Sequence, residues 1–133
     1  MTIRRNFSLV TVSGNNEQSA ASQVTATASG NSREFGEFAS FQRGIVFLDV
    51  SAVSGTTPNL VVALQHQDPA SLKWQNTSAV FPAQTAVTPG TPLAPLTLEL
   101  YAIMYRLSWT ITGTTPSFTF SCNIIVNCEE AIT

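Results

Sequence analysis

The sequence predicts an all-β protein, a single-domain β-sandwich or jelly roll of about eight or nine antiparallel strands. Three observations lead there. Apolar and polar residues alternate with a period of two along most of the chain, and no window of a dozen residues carries a 3.6-residue stripe. Turn residues recur about every ten positions. Finally, one phrase occurs twice: Val53-Ser54-Gly55-Thr56-Thr57-Pro58-Asn59-Leu60 returns as Ile111-Thr112-Gly113-Thr114-Thr115-Pro116-Ser117-Phe118. Each copy lies between apolar runs, so each predicts the turn of a β-hairpin. Glycine supplies the positive φ of a reversal, and proline, which cannot donate to a ladder, suits the start of the next strand. The residue before proline is pushed toward extended geometry, so Thr57 and Thr115 are expected as extended lead-ins.

The elements follow in order. Phe7–Val12 predicts a first strand with Phe7 and Leu9 packed. Gly14–Ser22 is small and polar, and residues 1–22 are expected to form an N-terminal arm and first strand, partly mobile, ahead of a β-sandwich domain spanning 23–133. Gln23–Ala28 alternates Thr with Val and Ala, a strand ended by the turn residues Ser29–Ser32. Phe35, Phe38 and Phe41 recur every third position. Gly36 and the short length argue against a helical turn, so a bulged strand or an irregular segment whose aromatics plug the core is expected. Gly44–Val53 and Leu60–His66 form the arms of the first hairpin, apolar on both faces like central strands. Leu72–Gln75 and Val80–Phe81 are short strands, and Thr88–Pro92 with Pro95 break the chain. In Leu96–Tyr101 the three leucines share a face. Arg106–Ile111 opens the second hairpin with Leu107, Trp109 and Ile111 inward. Phe118–Val126 closes it with Phe118, Phe120, Cys122, Ile124 and Val126 inward.

The repeat, at a spacing of 58, reads either as internal duplication or as repeated use of a good turn. Apolar positions ahead of the two copies fall out of phase, which weighs against duplication.

Composition narrows function. The chain has 133 residues, 44 % of them hydrophobic, but only 11 % are charged. So little charge leaves little electrostatic repulsion between copies, which favours lasting contact with other subunits. Net charge is −2 with one lysine, Lys73. No basic stripe supports nucleic-acid binding. No apolar run is long enough for a membrane span, and the start lacks the apolar core of a signal peptide. A soluble chain made in the cytoplasm is expected.

Chemistry is sparse. His66 and Asp68 have the spacing of a base and its orienter, but no nucleophile elbow accompanies them, and a solvated strand-end histidine beside a turn-forming Asp-Pro is expected. Cys122 and Cys128 on one strand would be about 20 Å apart, too far to bridge. No zinc or calcium ligand spacing and no phosphate loop is present. The sequence therefore predicts no enzyme, no cofactor and no metal. The best candidates for a partner-contact surface are Trp74, Tyr101 and Tyr105, joined by Thr56, Thr57, Thr114 and Thr115 of the repeated phrase.

The runs Phe47–Leu64 and Tyr105–Phe120 resemble small all-β structural proteins of tailed-bacteriophage virions, of the head decoration or cement kind. The resemblance covers about residues 23 to 126. It implies a β-sandwich or jelly-roll core, a homotrimer, the major capsid protein as partner and a place on the capsid surface. It carries over no catalytic residue. Two other readings stand beside it: a tail tube or tail-tip component, and a carbohydrate-binding module built on an exposed aromatic platform.

Overall fold

In the computed structural model the described residues are 2–10, 23–87 and 93–129. They form an all-β fold with seven strands: β1 (Thr2–Ser8), β2 (Val24–Ala26), β3 (Gly30–Asn31), β4 (Arg43–Gln67), β5 (Trp74–Val80), β6 (Leu96–Glu99) and β7 (Tyr105–Glu129). A 3-10 turn spans Glu37–Ser40. All seven strands belong to one hydrogen-bonded antiparallel sheet of order β1-β7-β4-β5. β2 and β3 also pair with β7, and β6 with β4.

The frame is a ribbon of two strands, β4 and β7, each 25 residues long. They pair antiparallel from Arg43↔Asn127 to His66↔Tyr105. The repeated phrase therefore does not make two hairpin turns. Its copies lie opposite one another in the middle of the ribbon, with Thr56 paired to Thr114. The expected extended lead-ins are also replaced: Thr57 and Thr115 take positive φ values of 48° and 45°, and Gly55 and Gly113 take 108° and 122°. The two copies set this geometry for each other. A Cβ on Gly55 would stand 2.6 Å from the carbonyl oxygen of Thr115, and one on Gly113 would stand 2.7 Å from that of Thr57. Only glycine allows so close a crossing. Pro58 falls between the Thr56 and Asn59 pairings, and Pro116 between Thr114 and Ser117, the partners of Thr56 and Ser54; the register shifts in both stretches, and neither proline is among the paired positions.

The crossing carries a local two-fold relation. Ser54↔Ser117 maps onto Thr112↔Asn59, and Val53↔Phe118 onto Ile111↔Leu60, when each number is moved by 58. Core positions follow: Leu60, Val62 and Leu64 match Phe118, Phe120 and Cys122, all buried. Upstream, Val46, Leu48 and Val50 match Tyr105, Leu107 and Trp109 at a spacing of 59. The extra residue is a bulge in β4, where the register shifts between Val50 and Ala52. That bulge is why the flanks look out of phase in sequence.

The ribbon curls. A fully extended run from Tyr105 to Ile124 would span about 60 Å. Yet Phe7, paired with Ile124, lies 5.1 Å from the Phe38 ring, which lies 5.6 Å from the ring of Tyr105. The two ends of β7 thus meet across one core, with Phe35 stacked on Phe38 between them. Phe35, Phe38 and Phe41 do plug the core, but around a helical turn after all, a 3-10 turn, rather than a bulged strand or an irregular segment. A cation supports that turn: Arg33 pairs with Glu37 at 2.6 Å and lies over the Phe35 ring.

Other boundaries move. The first strand covers Thr2–Ser8 rather than Phe7–Val12, and it lies in the sheet along β7. Phe7 and Leu9 are buried as expected. Residues 11–22 and 88–92 lie outside the described residues. The two short strands expected around Leu72 and Val80 are one strand, β5. Leu98 and Leu100 are buried with Leu96 packed beside them.

Candidate functional site

Two faces of the sheet need separate treatment. The inner face is the core, and its groups are spoken for. Tyr105 is fully buried, and its hydroxyl accepts a hydrogen bond from the Ala102 backbone N–H at 2.8 Å. Burial raises its pKa above the usual phenol value. As a contact residue Tyr105 is therefore corrected to a core residue. Cys122 is free and buried, and desolvation pushes its thiol well above the ordinary range, which leaves it unreactive. His66 packs its ring against Tyr101 at 5.5 Å and Tyr105 at 6.3 Å. Asp68 instead accepts from the Ala70 N–H and the Ser71 hydroxyl, which hold its pKa below the usual value. The two residues serve a ring cluster and a turn respectively, and no His-Asp dyad forms. Among the described residues no group of three His, Cys, Asp or Glu side chains could hold a metal ion. No helix among them is long and apolar enough to cross a membrane.

The remaining predicted contact residues fall in three places. Thr56, Thr57, Thr114 and Thr115 are exposed together at the crossing, where β4 and β7 bring them side by side. Tyr101 is 78 % exposed on the loop after β6, beside Ile103 at 62 %. With His66 and Pro69 they line an open groove of about 370 Å³. Trp74 is half-buried at the start of β5, paired with Gln67.

Trp74 belongs to a cluster that the sequence reading missed. Register places Gln65 between Arg106 and Asn76 on three adjacent strands. Arg106 Nε donates to Gln65 Oε1 at 2.9 Å, and Gln65 Nε2 donates to Asn76 Oδ1 at 3.0 Å. The Arg106 guanidinium lies 4.4 Å above the Trp74 ring. Stacking and the hydrogen bond at its rear hold the guanidinium as a fixed plane. The signal was available: Arg106 alternates with the inward Leu107 and Trp109, so Arg106 faces outward. On the other half of the ribbon the outer face carries Phe47, 40 % exposed, Ile125, 37 % exposed, and the exposed carboxylate of Asp49.

No protein-family model matches the sequence, and no curated protein matches it either. Among solved structures, the crystal structure of the SPBc2 prophage-derived protein YomS matches at a TM-score of 0.52 and 10 % identity. The match covers 96 % of this chain and 96 % of that one. The two proteins share a fold. The likeness runs end to end, so it includes the whole curled sheet rather than one hairpin. At this identity it transfers no site residue.

Proposed function

We propose that this chain is a structural virion protein of a tailed bacteriophage, a decoration protein that binds and stabilises the capsid exterior. The observation that carries this reading is the end-to-end fold likeness to a prophage-derived protein. Three features support it. The chain has few charges, His66 and Asp68 are engaged in packing and a turn, and Phe47, Tyr101 and the four threonines of the crossing are exposed on its surface. Such a surface works by contact, and several modest contacts across a symmetric assembly add up through avidity. The protein acts as a self-associated unit, a homotrimer, with the major capsid protein as its partner and without an enzymatic step. A sugar-binding platform is less well served, because the Arg106 guanidinium already occupies one face of the Trp74 ring.

Co-sedimentation with expanded empty capsids of the same phage tests the reading, with isolated tails and a glycan array as parallel arms. Saturable binding to capsids alone is the expected result. Binding only to tails, or only to glycans, overturns it.

A further inference from the structure

The outer faces of the two halves of the ribbon are complementary. On one, Arg106 is locked flat over Trp74, with its Nε committed to Gln65. A guanidinium has five N–H donors. The four on its terminal nitrogens meet no acceptor among the described residues, and no described carboxylate pairs with this arginine. A planar, pre-positioned fork of this kind suits a carboxylate, which it can bind through two parallel hydrogen bonds. On the other face, Asp49 is exposed and has neither a hydrogen bond nor an ion pair from its carboxylate among the described residues. Two positions along the same strand face stands the exposed ring of Phe47, with Ile125 on the neighbouring strand. One face thus offers an aromatic and an unpaired cation, and the other offers an aromatic and an unpaired anion.

We infer that a second copy of this chain docks head to tail, its Phe47–Asp49 face against the Trp74–Arg106 face of the first. Arginine and tryptophan are the residues on which interface energy concentrates, and a charge pair shielded by aromatic rings is stronger than one in open water. Because the two faces differ, the contact is heterologous and generates a closed ring when its rotation closes. The inference names the contact for the self-association proposed above and rests on that part of the reading.

The test is molecular mass in solution across the micromolar range, by light scattering and mass photometry, for the full chain. Wild type is expected as an oligomer. Arg106→Glu and Asp49→Lys each weaken association at least about tenfold. The double variant, in which the charges are exchanged, restores it. Phe47→Ser, on an exposed ring, weakens association as well and carries the test if Arg106→Glu does not fold. A monomeric wild type overturns both self-association and this contact. An oligomer that neither single charge reversal disturbs overturns the contact alone. Single variants that dissociate without rescue in the double overturn the pairing of Arg106 with Asp49.

Discussion

β4 and β7 carry the same phrase, pair with each other through it, and bury matching side chains on either side of it, yet they are not interchangeable. β7 runs from Trp109 to Ile111 with one residue between them, whereas β4 places two, Ser51 and Ala52, between Val50 and Val53. In β7 the inward residues are large: Tyr105, Leu107 and Trp109. Their mates in β4 are Val46, Leu48 and Val50. Ahead of the crossing, the strand with the smaller side chains carries the bulge, and the strand with the larger ones has no extra residue from Tyr105 to Ile111. Side-chain direction alternates residue by residue, so each strand's inner face depends on its own residue count. The symmetry of the crossing is thus a property of backbone and burial, and the sequence repeat preserves only its centre.

Deletions break this comparison most severely. Removing Thr110 leaves Trp109 adjacent to Ile111 and turns Tyr105, Leu107 and Trp109 outward. Each such loss is worth about 3–5 kcal/mol, so together they consume a typical domain's stability of about 5–15 kcal/mol. No cooperative unfolding transition is expected for that variant. Removing Ser51 merely converts the bulged strand to the spacing of β7. The cost is expected at about 1–2 kcal/mol, since an exposed residue and its bond to the Thr119 carbonyl are lost. Urea denaturation of both variants is the measurement. Equal damage from the two deletions would show that the bulge is not the difference between the strands.

Gly55→Ala and Gly113→Ala come next in size. Each adds a Cβ within 3 Å of the opposite strand's backbone and forces alanine to a φ above 100°. About 3 kcal/mol is expected for each, as a sum of steric contact and backbone strain. The two-fold relation requires the two costs to agree within about half a kcal/mol, and it requires the double variant to fall short of their sum because both act on one crossing. Core truncation then separates the two strands again: Trp109→Ala should cost about 3–5 kcal/mol, and Val50→Ala, its mate in β4, about 2 kcal/mol. Trp109 stacks edge-on against Phe120 and so loses a ring contact that Val50 never had.

Local alternation made much of this legible. The inward sets Leu98–Leu100, Leu107–Ile111 and Phe118–Val126, and the plugging role of three phenylalanines, follow from side-chain direction and hydrophobicity alone. The crossing did not follow, because Gly-Thr-Thr-Pro provides the same local chemistry to a hairpin turn and to a mid-strand crossing. Only pairing between the two copies, 58 residues apart, decides between them. The bulge was hidden for a related reason: one extra residue shifts the period without changing composition, so it looks like a failed match. Tyr101 and Tyr105 show the limit for surface residues. They are four positions apart, yet one is exposed and the other fully buried. Arg106 needed the converse step, reading the polar member of an alternating strand as a member of the opposite face.

The smallest expected effect lies where the two ends of the ribbon meet. The 3-10 turn that places Phe38 between Phe7 and Tyr105 is tied down by Arg33 and Glu37. The Arg33 hydrogen bond holds the Glu37 carboxyl below its ordinary value of 4.5, with burial opposing it. A carboxylate depressed in the folded state stabilises fully above its unfolded pKa and loses that contribution as pH falls through the folded value. Both partners are partly exposed, so screening limits the gain to about half a kcal/mol. Glu37→Gln should therefore lower Tm by about 1–2 °C at neutral pH. The difference from wild type should shrink steadily as pH is lowered below 4.5. A gap that stays constant across that range would mean the turn is held by its phenylalanines alone, and that the ion pair follows the geometry rather than fixing it.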